Sequence, residues 1–422
     1  MSWMTLEQIL RLASGLIVGI HVTRYLGPEQ VGVLSYVGAF VAIFAGIAKL
    51  GADDIVVKEI VIDPNDKYRI LGTAFWLKIF STLLMIVLIA VTLLFLNVDK
   101  NTQLYIYIVA GGIFFQSFEV VDFYCQAHML MRLVSMCRIV QIIISAILRI
   151  YLVSIGADLM DFVLLTLIDQ LSIAIMLFVL YFTQENKSFI QFFDLSLSIK
   201  ILKQSWPLLL SYLSYIIYAR IDQVMIKNMI GEKALGYYST AYKLYEIPQF
   251  IAFIFARNMY PLLTKKHSEN IESFAQLMKS GTSIMTLISY LLVLFFWLFS
   301  DKLINILYGA QFAESSHILF GLSLCLIPIF NGCLRSAFIN ITNNQRILFY
   351  STLISTLINV VLNYYLIKIY GVIGSVYAII CTQFISLLIM NLFFSKLHVL
   401  LICQLKSFLL LGLKPYVPYL SK

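Results

Sequence analysis

The sequence LGPEQVGVLS at residues 26–35 returns in altered form as IGEKALGYYS at residues 230–239. Both copies begin with an aliphatic residue and a glycine, repeat the glycine five positions later and place a serine three positions beyond it. Each copy joins two strongly apolar segments, and a weaker echo links residues 151–153 to residues 365–367 in the same order. The chain therefore reads as two similar halves. Internal repeats of this kind are typical of membrane transporters.

The composition is that of a chain embedded in lipid. Of its 422 residues, 61% are hydrophobic and only 12% are charged, and the mean hydropathy is +0.90. A soluble domain carries about a quarter charged residues. The net charge is +8, but the basic residues form no cluster that suggests nucleic acid as a partner. The six cysteines form neither a CxxC pair nor a metal-binding spacing with histidine, so we expect buried thiols and no metal site.

Helices of about 20 residues cross a hydrocarbon core of about 30 Å. The apolar pattern predicts an all-α polytopic membrane protein with about twelve transmembrane helices in two pseudo-symmetric six-helix lobes. Six helices per half give both copies the same orientation. We expect lobes at residues 1–200 and 201–400 and a cytoplasmic tail at 401–422. The predicted spans are 3–24, 29–50, 70–97, 103–127, 134–155, 159–182, 203–228, 233–258, 279–300, 312–335, 346–368 and 373–395.

The loop charges predict the orientation of the chain. If the N-terminus is cytoplasmic, the cytoplasmic loops and the tail hold eighteen Lys and Arg residues and the opposite loops hold six. This bias predicts that both termini are cytoplasmic. The predicted connections are short, so the sequence offers no large external domain of the kind expected for a membrane glycosyltransferase or a polymerase.

Ionisable side chains within the predicted spans are the candidate functional residues, because each costs a few kcal/mol at the bilayer centre. Any single one could form a structural ion pair. Together they predict a hydrated cavity, in which arginine suits a phosphate group and a buried acid suits a proton or sodium ion. The basic members are Arg11, Lys78, Arg149, Arg220 and Lys243, and the acidic members are Glu119, Asp122, Asp169, Asp222 and Glu246.

Tyrosines recur at helical spacing on the seventh and eighth predicted spans. A tyrosine ring has an apolar face and a polar tip, so such a stripe can stack on sugars in a wet groove. Helix packing and interfacial belts are the alternative explanation. The candidates for sugar stacking are Tyr212, Tyr215, Tyr218, Tyr242 and Tyr245.

Several short stretches of the chain have a familiar pattern: residues 15–20, 24–32, 71–75, 219–226, 231–238, 359–366 and 371–374. These stretches resemble polysaccharide biosynthesis flippases, the O-antigen (Wzx-type) translocases of the multidrug/oligosaccharidyl-lipid/polysaccharide exporter superfamily. The resemblance extends over nearly the whole chain.

The resemblance implies a two-lobed fold like that of multidrug and toxic compound extrusion (MATE) transporters, with a V-shaped central cavity. It implies a substrate built on undecaprenyl pyrophosphate and bearing an oligosaccharide repeat unit of O-antigen, capsule or exopolysaccharide. It also implies a multi-pass location in the bacterial cytoplasmic (inner) membrane, coupling to a proton or sodium gradient and no bound cofactor. Membrane lipid, a polysaccharide polymerase and a chain-length regulator are the implied partners.

We therefore predict a flippase and not an enzyme, with no catalytic residue. The alternatives are a multidrug or small-cation exporter, a flippase for the lipid-linked peptidoglycan precursor and, from another class, a membrane glycosyltransferase. The predicted pyrophosphate ligands are Arg149, Arg220 and Lys243, followed by Arg24 and Arg11. The predicted ion-coupling residues are Asp222, Glu119, Asp122 and Glu246.

Overall fold

The computed structural model describes residues 2–412, and within that range the chain is helical and contains no β-strand. Short 3₁₀ turns and one π-helical turn, at Ile385–Ile389, connect or interrupt the helices. The α-helices are α1 Ser2–Lys49, α2 Asp53–Ile62, α3 Lys67–Phe95, α4 Lys100–Phe115, α5 Val120–Ala127, α6 Met131–Ser154, α7 Leu159–Gln184, α8 Leu195–Met229, α9 Glu232–Glu269, α10 Ile271–Tyr308, α11 Glu314–Ser323, α12 Leu326–Asn331, α13 Arg335–Ile341, α14 Gln345–Tyr370, α15 Val372–Phe384, α16 Met390–Phe393 and α17 His398–Phe408.

Every predicted span is largely helical, and the prediction of an all-α polytopic membrane protein is confirmed. Between residues 2 and 412, nine helical segments are long and apolar enough to cross a membrane. The first, Trp3–Ile62, contains the first two predicted spans. Helices α8 and α9 are not among the nine, although they have 35 and 38 residues. They carry Arg220, Asp222, Lys243 and Glu246, which lowers their hydropathy.

The repeated sequence has a repeated backbone conformation. Gly27 kinks α1 with φ 73° and ψ 173°, and Gly231 precedes α9 with φ 128° and ψ 176°. A side chain at either position would clash in this region of φ and ψ, which glycine adopts readily. Each glycine therefore turns the chain sharply between two helices.

The chain divides into two compact units, residues 1–224 and residues 225–422. Helix α8 passes through residue 200, where the sequence suggested the boundary between lobes. In the first unit, α1 packs against α3, α4 and α6, and α7 packs against α4 and α6. In the second unit, α10 packs against α9, α11, α12 and α17, and α14 packs against α15.

The segment after α7 docks onto the start of α3 through the stretch at residues 71–75. Trp76 Nε1 donates to the Ile190 carbonyl at 2.9 Å, and the Asp194 amide donates to Thr73 Oγ1 at 3.1 Å. Gly72 lies directly beneath the backbone of this segment. Position 72 therefore requires glycine, because a side chain there would collide with the docked segment.

The second unit has a polar layer within its core. Asn331 donates to Thr286 Oγ1 at 3.0 Å, and Asn391 donates to Gln404 Oε1 at 2.8 Å. Gln404 lies on α17, so part of the predicted tail at 401–422 is a helix packed against α10. Residues 413–422 lie outside the described residues, and a cytoplasmic position for the tail stays a prediction.

Candidate binding cavity of the first unit

A polar cavity of about 580 Å³ opens among the helices of the first unit. Helices α1, α6 and α7 and the 3₁₀ turn Gln116–Glu119 supply its walls. Three arginines and two carboxylates line it, together with amides and small hydroxyls. The lining residues that the following paragraphs use are Arg11, Glu119, Arg138, Gln141, Ser145, Arg149 and Asp169.

Helix α6 presents a polar stripe to this cavity. Arg138, Gln141, Ser145 and Arg149 follow one another at spacings of three, four and four residues. In a helix these spacings place side chains on one face. The opposite face exposes apolar groups such as Ile147, which suits contact with lipid.

Arg149 is held by a carboxylate on the neighbouring helix. Its Nη2 donates to Asp169 Oδ2 at 2.6 Å. Asp169 also accepts a hydrogen bond from Ser145 at 2.9 Å and one from Gln141 at 3.1 Å. The Arg149 side chain is 36% exposed and that of Asp169 is 15% exposed. The guanidinium is thus oriented and partly neutralised, yet it remains open to the cavity.

A second group of charges joins the start of α1 to α5 and α6. Arg11 donates to Glu7 at 2.6 Å, and Arg138 lies 3.7 Å from the same carboxylate. Arg138 also forms an ion pair with Asp122, which is buried on α5. Glu7 is only 6% exposed, so this arrangement explains why charged residues interrupt the apolar start of α1. Glu7 and Arg11 pair with each other, and Glu7 also lies near Arg138.

Lys78 is a further buried charge at the edge of this group. Its Nζ lies 3.3 Å from Glu119 Oε2 and 3.9 Å from Asp53 Oδ1, and 4.8 Å from the ring centre of Phe123. Two carboxylates and an aromatic face thus compensate one ammonium group. A void of about 10 Å³ next to Lys49, Lys78 and Glu119 is close to the minimum for one water molecule.

The charges around this cavity are balanced. The three lining arginines all contact carboxylates. Arg138 lies near the start of the predicted span 134–155 and was not among the candidate residues, and Asp169 was a candidate without an assigned role. The polar stripe on α6 could have identified Arg138, whereas nothing in the sequence pairs it with Asp122. Within residues 2–412, no group of three or more His, Cys, Asp or Glu side chains is positioned to hold a metal ion.

The other predicted charged residues do not line this cavity. Arg24 is exposed on α1. On α8, Arg220 is half-buried and Asp222 is 2% exposed. Lys243 and Glu246 are exposed on α9 in the second unit. The structure therefore brings together Arg11, Arg149 and Glu119 from the predicted set and links Asp122 to them through Arg138.

The tyrosines on α9 form a continuous ring contact. Tyr242 lies 5.5 Å from Tyr245 between ring centres and 5.7 Å from Tyr238. Tyr245 is only 3% exposed, so stacking on a sugar would require it to leave this packing.

The tyrosines on α8 are more open. Tyr215 is 58% exposed, and Tyr218 is half-buried. Tyr212 has the Lys49 ammonium 5.2 Å from its ring centre. Tyr215 is thus the most accessible of the predicted sugar-stacking residues.

Two family models match the sequence. One, described as polysaccharide biosynthesis protein, matches residues 1–267, and the other, described as MatE, matches residues 207–365. The capsular polysaccharide biosynthesis protein CapF of Staphylococcus aureus is 25% identical over 42% of this chain and 45% of its own length. The probable low-salt glycan biosynthesis flippase Agl15 of Haloferax volcanii is 27% identical over 38% of this chain and 34% of its own. The alignments thus span less than half of each relative.

Solved structures share the fold across nearly the whole chain. The lipid II flippase MurJ, in an inward closed conformation, superimposes with a TM-score of 0.72 at 16% identity, covering 99% of this chain and 92% of MurJ. An inward-facing multidrug resistance MATE transporter of the MOP superfamily gives 0.69 at 15% identity, covering 97% and 99%. At these identities the likeness concerns the fold.

Proposed function

The chain belongs to the polysaccharide biosynthesis protein family, and on that premise we propose that it is a flippase for lipid-linked oligosaccharides. The substrate is an oligosaccharide repeat unit on undecaprenyl pyrophosphate. The protein moves this headgroup from the cytoplasmic to the outer leaflet of a bacterial inner membrane by ion-coupled alternating access. The product supplies O-antigen, capsule or exopolysaccharide. No covalent step is required, so the protein acts as a transporter and not as an enzyme.

The observation that carries the proposal is the polar, charge-lined cavity among membrane-spanning helices of the first unit. A pyrophosphate with attached sugars cannot cross hydrocarbon unaided, because its desolvation is prohibitive. The lipid tail has no such barrier and can remain in the bilayer. A protein that flips the lipid therefore needs a hydrated space only for the headgroup.

Arg149 is the first candidate for the pyrophosphate. Its guanidinium presents a planar set of donors that fits phosphate oxygens, and it opens onto the cavity. An arriving pyrophosphate replaces Asp169 as its partner. Arg11, 54% exposed, is the second candidate in this cavity. Arg24, Arg220 and Lys243 keep the roles that the sequence suggested, as further anion ligands along the path.

Glu119 is the candidate for ion coupling that opens onto the same cavity. It lies beside Lys78 and lines the cavity wall, so its protonation or ion binding would change the charge there. Asp122 is joined to the same cavity through its ion pair with Arg138, which lines the cavity wall. Asp222 and Glu246 are the candidates on α8 and α9.

A small-cation exporter is the second candidate function. The balanced charges favour an exporter of cations over a transporter of a purely anionic substrate. The three lining arginines already contact carboxylates, and Glu119 remains open to the cavity. The MatE match to residues 207–365 points in the same direction. The lipid II flippase MurJ shares the fold, so the fold does not distinguish a flippase for the peptidoglycan precursor from a flippase for other lipid-linked oligosaccharides.

The test is a deletion strain complemented with variants. Without the protein, the lipid-linked glycan accumulates on the inner leaflet, where mass spectrometry of extracted lipids combined with a membrane-impermeant label identifies it. We expect Arg149→Gln to reduce flipping at least tenfold at unchanged protein level, because it removes a charge-assisted contact to phosphate.

Arg132→Gln is the matched control. It lies on the same helix, is exposed, and contacts the Trp3 ring outside the cavity. Full complementation by Arg149→Gln would remove Arg149 from the mechanism. A deletion strain that accumulates no lipid-linked glycan but becomes sensitive to organic cations would favour the exporter.

A further inference from the structure

A second cavity of about 580 Å³ lies within the second unit, between the start of α14 and the end of α16. We call it the α14–α16 cavity. The turn before α14 forms one wall, and the segment that follows α16 forms the other. It is lined by Asn343, Asn344, Gln345, Arg346, Ile347, Phe393, Phe394 and Lys396.

Its cations lack the carboxylates that compensate those of the first unit. The sequence contains no aspartate or glutamate after Glu314. Neither Arg346 nor Lys396 forms an ion pair within 4.0 Å in the part of the chain that the structure describes. Two positive charges therefore face one cavity without a carboxylate partner among residues 2–412.

A third cation, Arg335, binds two residues that lie about one helical turn from the cavity lining. Arg335 is 9% exposed and donates to Asn391 Oδ1 and to Ser351 Oγ, both at 3.1 Å. Both acceptors are neutral. Ser351 follows Ile347 by four residues and Asn391 precedes Phe394 by three, so Arg335 joins the two elements that form the cavity walls. A buried cation with neutral partners raises the affinity of its surroundings for an anion.

The remaining features of the cavity suit an amphiphile. Helix α14 has no side-chain cap at Asn344, and the Ile347 amide donates to the Asn344 carbonyl, so the helix start adds at most the amides that precede Ile347 to the donors there. Beside these donors, Phe393 is 77% exposed and Leu392 is 58% exposed. A headgroup bound by Arg346 and Lys396 would thus have its tail next to apolar side chains.

We propose that the α14–α16 cavity binds the phosphate of a lipid headgroup and holds that lipid as a resident ligand. The site consists of second-unit residues alone and is separate from the residues proposed to bind the transported headgroup. The loop-charge rule places this end on the cytoplasmic side, where anionic lipids are abundant. Two sources offer the required chemistry: an anionic phospholipid, and a polyprenyl pyrophosphate carrier.

The experiment measures binding to the full chain, purified in detergent, by isothermal titration calorimetry. The probes are dihexanoyl phosphatidylglycerol, farnesyl pyrophosphate, sodium pyrophosphate and, as a neutral headgroup, dihexanoyl phosphatidylcholine. The variant is Arg346→Gln with Lys396→Gln. Each charge removed near a membrane surface should weaken anionic-lipid binding roughly fivefold, and both together roughly 25-fold. If the double variant does not fold, each single variant carries the same test.

Lys368→Gln is the matched control, since Lys368 lies at the other end of α14 and donates to Tyr364. It should leave every affinity unchanged. A selective loss for phosphatidylglycerol identifies a phospholipid, and a selective loss for farnesyl pyrophosphate identifies the carrier. Unchanged binding by the double variant would overturn the proposal. An equal loss of lipid affinity in Lys368→Gln would also overturn it. Equal affinity for sodium pyrophosphate and for farnesyl pyrophosphate would overturn it as well, because the lipid tail would then have no role. Arg149→Gln should not affect the binding of dihexanoyl phosphatidylglycerol, which carries no pyrophosphate, so this arm of the experiment is independent of the flipping assay.

Discussion

Gly72→Ala should disrupt the docking of residues 185–194 onto α3. A Cβ atom at residue 72 would lie 2.2 Å from the Phe192 carbonyl oxygen and 2.3 Å from that of Phe189. Both are backbone atoms, which cannot rotate away as a side chain can. Since non-bonded atoms are most stable about 3.5 Å apart, the docked segment must retreat by about 1 Å.

The cost follows from what that retreat breaks. Overpacking costs roughly 1–3 kcal/mol. The Trp76 indole and the Asp194 amide each lose a hydrogen bond worth about 1 kcal/mol. Alanine recovers about 1 kcal/mol through its higher helix propensity. We therefore expect the free energy of unfolding to fall by about 3 kcal/mol.

Denaturant unfolding in detergent, followed by tryptophan fluorescence, measures this change. Gly38→Ala is the matched control, because Gly38 lies within α1 and an added Cβ would have no heavy atom within 4 Å. It should be neutral or slightly stabilising. If Gly72→Ala unfolds at the same denaturant concentration as the wild type, the docked segment does not contribute to stability and this explanation of residues 71–75 is wrong.

Three further changes test other contacts. Burial alone would raise the pKa of Glu185, but hydrogen bonds from Lys67, Tyr124 and Tyr68 lower it to about 2. The ionised Glu185 therefore contributes its full share of the folding stability above pH 4.5. The difference in melting temperature between the wild type and Glu185→Gln should close as the pH falls from 5 towards 2. Lys78→Met should cost about 2 kcal/mol in denaturant unfolding, because Glu119 and Asp53 lose their partner, and adding Glu119→Gln should restore part of the loss. Asn391→Leu should cost about 2 kcal/mol by the same measurement, because it removes an acceptor from Arg335 and a donor from Gln404; an unchanged unfolding curve would contradict this account of the polar layer.

The fold was largely readable because its determinants are local in sequence. Apolar length alone located the predicted helices, and the paired glycines at residues 27 and 231 marked corresponding turns. Helix ends were less predictable. The apolar pattern stops where the chain leaves the membrane, whereas a helix can continue beyond that point. Helix α9 continues through Pro261 to Glu269, and α10 begins only after Asn270 accepts a hydrogen bond from the Glu272 amide.

The cavity was only half readable from sequence. Ionisable residues in apolar segments are conspicuous, so Arg149 and Glu119 could be nominated. Their partners depend on which helices pack together, and that information is not local. Glu7 and Arg138 are separated by more than a hundred residues and meet only because α1 packs against α6. A list of buried charges therefore does not reveal which of them compensate one another.

Whether a cation already has a carboxylate partner decides how tightly its cavity can bind an anion. Arg149 already has Asp169 as a partner. If it binds a pyrophosphate as proposed, the anion gains only the difference between two similar partners and can leave again when the carboxylate returns. Reversible replacement is what a transporter needs, because a ligand bound too tightly is not released. Arg346 and Lys396 have no carboxylate to return to among the described residues, so an anion there gains the whole interaction. On the two proposals, the compensated Arg149 therefore suits a headgroup in transit, and the uncompensated Arg346 and Lys396 suit a retained lipid.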